Sequence, residues 1–303
     1  MPTLEAQSVQ CVVTSPPYYN LRDYGVNMQI GQEATYQEYI DNLVSVFREV
    51  RRVLKDDGTV WLNLGDSYAG SGQGGNLDKN KKLKSMTPLK QTPLAGLKKK
   101  DLIGIPWRVA FALQQDGWYL RQDIIWHKPN VMPESVKDRC VKSHEYIFLL
   151  SKNRNYYFDY KAIKEDSVLF ESYKEHGYKR TLNAAHPSYN LRRDDKRDSM
   201  KQTYPQKRLN RKDSDYDITK RNKRDVWTIP THPYKGAHFA AFPLKLVIPC
   251  ILAGSREGDV ILDPFFGSGT VAEAAALLNR NWLGIDINPD YEPLYKERLA
   301  LFA

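Results

Sequence analysis

Cysteine is scarce in this chain of 303 residues: Cys11, Cys140 and Cys250 stand far apart, so neither a disulfide framework nor a zinc or other metal site is expected. No stretch approaches the roughly 18 consecutive apolar residues of a membrane helix. The start, MPTLEAQSVQ, lacks the basic-then-apolar order of a secretion signal. These absences point to a soluble, cytoplasmic chain of a reducing compartment, without membrane contact. Internal repeats are missing as well. One whole stretch has no acid: residues 79–100 carry eight lysines and not one Asp or Glu.

What is present is enough to fold. A hydrophobic content of 41%, with 12% aromatics, supplies a core for one large α/β domain with an insertion and argues against wholesale disorder. The net charge of +9 is unevenly held. Residues 152–224 hold 20 Lys and Arg against 11 Asp and Glu, so these two basic segments sit on a net acidic body. A single charge run is commonly just solvated surface. Two of them, one interleaved with Tyr and Asn, favour a polyanionic partner.

The apolar pattern alternates between helix and strand. SVQCVVTSPPYY reads as a strand ending in a rigid turn. Tyr39, Ile40, Leu43, Val46, Phe47, Val50 and Leu54 recur at helical spacing, and Asp56, Asp57 and Gly58 stop that helix before a strand in TVWLNLGDSY. Residues 69–100 are glycine-rich and then basic, with the pattern of a mobile loop. IPWRVAFALQQDG is a second helix, followed by strand patterns in WYLRQDIIWHK and HEYIFLLSK. Periodicity collapses from about 153 to 225 and resumes at DVWTIP. The expected fold is therefore α/β, a doubly wound, mostly parallel sheet. Its expected parts are 1–152, a basic insertion at 153–225, and 226–303.

Two stretches carry chemistry. VILDPFFGSGTVAEAAALL is strand, glycine turn and helix, and Asp286 ends the next strand, placed for ribose hydroxyls. A pyrophosphate prefers a third glycine and no nearby carboxylate, yet Ala272 stands at that spacing and Asp263 lies at the strand end. A cationic ligand with an ammonium group suits Asp263, and S-adenosylmethionine is such a ligand. In VVTSPPYYNL, Pro16 and Pro17 stiffen the chain and direct the Pro16 carbonyl. Ser15 adds a second acceptor, and Tyr18 a flat face. Two acceptors beside an aromatic ring form a receptor for an exocyclic amine on a planar base.

Taken together, VTSPPYYNLRDYG and LDPFFGSGT resemble the bacterial and phage DNA amino-methyltransferases. S/D/N-P-P-Y is the catalytic signature of that family, and F-x-G-x-G is its S-adenosylmethionine turn. The order, catalytic motif first, is similar to the family's β group, and about 230 residues share in the likeness. The resemblance implies a Rossmann-like methyltransferase fold with permuted motif order, acting on double-stranded DNA by base flipping in a bacterial or phage-infected cell. A separately acting restriction endonuclease is a partner such a role allows. It implies Ser15, Pro16, Pro17 and Tyr18 as catalytic. Asp263, Phe265, Gly267, Gly269, Thr270 and Asp286 would bind the cofactor, with His238, Ala240, Phe242 and Pro243 completing the methionine pocket. Phe266 fills a slot that is usually variable. The form T-S-P-P-Y resembles the cytosine N4 group more than the adenine N6 group. Arg192, Arg193, Arg208 and Arg211 are the candidates for DNA contact within the insertion. Three other readings stay open at this point: a nicotinamide-dependent oxidoreductase, a glutamine methyltransferase, and a DNA-binding protein on an inactive scaffold.

Overall fold

The computed structural model describes residues 1–22, 24–70, 96–167, 219–231 and 242–302. They divide into two compact units, Met1–Ala162 with Arg224–Ala303, and Ile163–Lys223. Residues 153–162, assigned by composition to the insertion, belong to the larger unit. Tyr157 N donates to Asp57 O and Asp159 N to Ala253 O, both at 2.8 Å, and the Phe158 ring stacks on Trp61.

The larger unit is built on β1 (Val9–Thr14), α1 (Tyr36–Val53), β2 (Leu54–Leu64), α2 (Ile105–Gln115), β3 (Tyr119–His127) and β4 (His144–Ser151). In the smaller unit, β5 (Glu165–Asp166) pairs antiparallel with β6 (Lys220–Arg221), each rung closed by an ion pair. The larger unit resumes with β7 (Val226–Thr228), α3 (Leu244–Gly254), β8 (Val260–Asp263), α4 (Thr270–Leu277), β9 (Asn281–Gly284) and α5 (Glu292–Leu299).

Seven strands form one sheet in the order β7-β3-β4-β2-β1-β8-β9. Only β4 runs against the rest, pairing antiparallel with both β2 and β3. The cause is local: no helix separates β3 from β4, so the chain turns back instead of crossing over. Elsewhere helices supply the parallel crossovers. Thr35 and Glu38 form a reciprocal capping box that starts α1, whose Tyr39, Ile40, Leu43, Phe47 and Val50 are buried. Asp56, Asp57 and Gly58 do not separate helix from strand as expected. The helix ends at Val53, and β2 begins directly at Leu54, pairing with Val9 before a register shift.

Trp61 anchors the buried side of β2. It packs against Phe158 and Trp227, and its indole N–H donates to Thr59 Oγ1 at 3.3 Å. Trp61→Ala is expected to lower unfolding stability by about 3–5 kcal/mol, read by urea denaturation, because the cavity left cannot collapse between two aromatic rings.

The strand order reverses between β1 and β8: the chain leaves β1 towards β2, and leaves β8 towards β9 in the opposite direction. Such a switch point opens a crevice at the carboxyl ends of the parallel strands. Ser15 follows β1 there, Gly65 follows β2, Lys128 follows β3 and Asp263 ends β8, while the antiparallel β4 brings its beginning, Glu145, to the same edge.

Candidate functional site

A cavity of about 670 Å³ opens at this switch point. Its walls include Ser15, Pro16, Pro17 and Tyr18 from the first turn and Asp263, Phe265, Gly267, Thr270 and Asp286 from the second. Two stretches almost 250 residues apart in sequence thus line one space. Their junction is a direct bond: Thr14, next to Ser15, donates from Oγ1 to Asp263 Oδ1 at 2.6 Å. Phe265 N donates to the same oxygen at 3.0 Å. Burial nevertheless dominates and pushes the Asp263 carboxyl up to about 7, those two donors pulling the other way and Asp286 adding a small upward push.

The glycine turn leaves β8 with Gly269 at φ 78° as the residue before α4. A side chain there would be strained by that φ, and its Cβ would lie 2.8 Å from Tyr295 Cβ. Asp286 braces the turn from the next strand end, its two oxygens accepting Gly267 N at 2.7 Å and Asn288 N at 2.8 Å. Carboxylate oxygens each carry a second lone pair, so both retain capacity for hydroxyl donors. Thr270 Oγ1 accepts from Arg298 at 2.9 Å. The Ser268 hydroxyl, absent from the sequence expectations, is buried in the cavity wall with no hydrogen-bond partner. Phe266 is packed between Trp282 and Tyr295, which gives this slot a role in holding the turn.

In the Pro-Pro-Tyr-Tyr turn the two tyrosines part company. Tyr19 is buried against Tyr39, and Tyr39 donates to the Pro17 carbonyl at 2.8 Å, clamping the turn from behind. Tyr18 faces the cavity. Its hydroxyl donates to Glu145 Oε2 at 2.6 Å and accepts from Asn63 Nδ2 at 2.7 Å. Burial, reinforced by the Glu145 charge, raises the Tyr18 hydroxyl well above its ordinary range, so it remains a protonated donor. Asn63 also donates to Ser15 Oγ at 3.3 Å.

Phe242 lines the cavity, while Pro243 caps α3 and is not among the lining residues. His238 and Ala240 lie outside the described residues, as do Arg192, Arg193, Arg208 and Arg211 and most of the lysine-rich stretch. The ends of that stretch are joined by an antiparallel bridge between Tyr68 and Leu102. Sequence reasoning missed Asn63, Lys128 and Glu145. The available signal was a polar residue inside the apolar run VWLNL and an acid opening HEYIFLL. Among the described residues no group of His, Cys, Asp and Glu could hold a metal ion, and no helix is long and apolar enough to cross a membrane.

Comparison with known proteins adds to this geometry. Residues 9–297 match the N6_N4_Mtase family, described as DNA methylase. The type II methyltransferase M.SmaI of Serratia marcescens is 47% identical over 297 residues, 98% of this chain and 86% of its own length. M.Cfr9I of Citrobacter freundii, also a type II methyltransferase, is 44% identical over 98% of this chain and 83% of its own. Among solved structures, the cytosine-N4-specific PvuII DNA methyltransferase superposes with a TM-score of 0.61 at 17% identity, covering 98% of this chain and 81% of that one. A putative DNA modification methylase of Thermus thermophilus, complexed with S-adenosyl-L-methionine, gives 0.57 at 24% identity over 99% and 89%. Both structures share the Rossmann-like, mostly parallel fold described above.

Proposed function

Because this chain belongs to the DNA methylase family it matches over residues 9–297, we propose that it is a site-specific DNA methyltransferase, moving a methyl group from S-adenosylmethionine to the exocyclic N4 amine of cytosine. The carrying observation is the Thr14–Asp263 bond, which joins the proposed amine-binding turn to the proposed ammonium-binding carboxylate, both lining one cavity.

The residues present fit the cofactor. Asp263 is a buried acid suited to an ammonium group, the unpartnered Ser268 hydroxyl awaits a polar partner, and Asp286 has lone pairs for ribose hydroxyls. When bound, S-adenosylmethionine supplies an electrophilic methyl group. The chain's part is positioning and electrostatics. Ser15 Oγ and the Pro16 carbonyl accept the two amine hydrogens, which localises the nitrogen lone pair towards the methyl group. Tyr18 stacks the flipped base, offsetting a cost of a few kcal/mol for taking it out of the duplex. Ser15 is a poor base at neutral pH, so the amine proton leaves after methyl transfer.

Cytosine is preferred because the turn has the T-S-P-P-Y form and because the PvuII neighbour is cytosine-N4-specific. The same geometry on the adenine N6 amine is the competing outcome. The likeness to type II methyltransferases supports a restriction–modification role on double-stranded DNA; a cytoplasmic location and a separately acting endonuclease are part of the same proposal. The basic insertion, with its four candidate arginines, is the proposed reader of the target sequence.

Tritiated-methyl S-adenosylmethionine, incubated with unmethylated DNA and purified protein, tests the reading. Label is expected in DNA, and Ser15→Ala is expected to slow its transfer by about 100-fold or more with cofactor affinity nearly unchanged. Cofactor binding with no label in DNA from many sources would refute it.

A further inference from the structure

Three adjacent strands converge on the Tyr18 hydroxyl. Asn63 comes from β2, Glu145 from β4, and Lys128 from the residue after β3. Lys128 forms an ion pair with Glu145 Oε1, and its ammonium lies 4.2 Å from the Trp126 ring centroid. Asn63 Nδ2 reaches Glu145 Oε2 at 3.1 Å, the oxygen that also accepts the Tyr18 hydroxyl. The Glu145 and Lys128 side chains are only 15% and 16% exposed, so solvent does little to screen the pair. Backbone also confines the Tyr18 ring: a Cβ at Gly65 would overlap its edge, 2.8 Å from Cδ2.

A ring held only by packing can tilt; a ring whose hydroxyl both donates and accepts in a half-dry network cannot do so without breaking two hydrogen bonds. Glu145 is also poorly suited to take a proton from substrate. Both of its oxygens already receive donors, from Lys128 on one side and from Tyr18 and Asn63 on the other. We infer that Glu145, locked by Lys128 and Asn63, is a positioning residue that fixes the angle of the Tyr18 ring against the target base. This rests on Tyr18 being the surface on which that base stacks.

The test compares steady-state methylation of DNA by wild type, Tyr18→Phe, Glu145→Ala, their double variant, and Glu145→Gln combined with Lys128→Met. Glu145→Ala and Tyr18→Phe are each expected to lower kcat by about 10- to 100-fold, the scale of a small misplacement at a reacting centre. KM for DNA and for cofactor should move by less than about threefold. The double variant should be no slower than the slower single one, since both remove the same bond. Glu145→Gln with Lys128→Met keeps an acceptor for Tyr18 without leaving a charge unpaired, and should recover rate to within about fivefold of wild type. Normal turnover in Glu145→Ala, or losses that multiply in the double variant, would overturn the inference. If Glu145→Ala fails to fold, a neutral Tyr18→Phe or a rate that stays low in the Gln/Met pair would do the same. Wild-type protein that methylates no DNA overturns the functional reading and this inference with it.

Discussion

Asp263→Asn is expected to weaken S-adenosylmethionine binding by about 100-fold or more above pH 7, the scale of breaking a buried charge pair. The substitution is nearly isosteric, and its amide oxygen can still accept from Thr14 and Phe265 N, so it removes the charge and little else. Wild-type binding should depend on pH in a way the variant does not. Burial holds the Asp263 carboxyl at about 7, and an ammonium ligand selects the ionised form. Affinity should therefore fall as pH drops below 7, by up to about tenfold per unit, and level off above it. The stability of the ligand-free protein should move the other way. A carboxyl raised in the fold binds more protons folded than unfolded between pH 4 and 7. Its contribution is complete below 4 and is lost as pH rises through 7. Calorimetric titration of cofactor across pH 5.5–8.5, with both proteins, checks the argument. A wild-type profile as flat as that of Asp263→Asn would contradict it.

Gly65→Ala should spare the cofactor and damage turnover. The glycine follows β2, and any Cβ there invades the ring of Tyr18, which lines the cavity. The ring cannot swing aside freely, because its hydroxyl is tied to Glu145 and Asn63. Displacement must therefore move the stacking surface or break those bonds. A loss of about 10- to 100-fold in kcat is expected, with S-adenosylmethionine affinity changed by less than about threefold. Single-turnover methylation combined with a binding titration separates the two effects. Equal losses in both would place the damage in the fold of the whole site.

Much of the architecture was legible because burial writes itself into periodicity. The apolar spacing of α1, the valines of β1, the Val-Ile-Leu run of β8 and the glycine turn before α4 each follow from local rules, and each occurs where expected. The antiparallel β4 was less so. Its run HEYIFLL shows that it is buried, but direction depends on the connection, and only the missing helix between β3 and β4 hints at it. The end of α1 was misplaced because Asp-Asp-Gly is ordinary turn chemistry, whereas here the chain passes straight from Val53 into β2.

The site divides in the same way. Ser15, Pro16, Pro17, Tyr18 and Asp263 sit in two short motifs and Asp286 at the end of the strand that follows, and all six line the cavity. Asn63, Lys128 and Glu145 act together only because the order β3-β4-β2 lays their strand ends side by side, which no local pattern encodes. Ser268 lies within the turn motif, yet only the fold shows that its hydroxyl is buried without a partner.

The most direct measurement is mass spectrometry of nucleosides from unmethylated, mixed-sequence DNA after incubation with the protein and S-adenosylmethionine. The expected result is a rise in 4-methylcytosine that disappears in Ser15→Ala and Asp263→Ala. A rise in 6-methyladenine instead would keep the geometry and contradict the choice of base. No modified nucleoside, with cofactor tightly bound, would contradict the central claim itself.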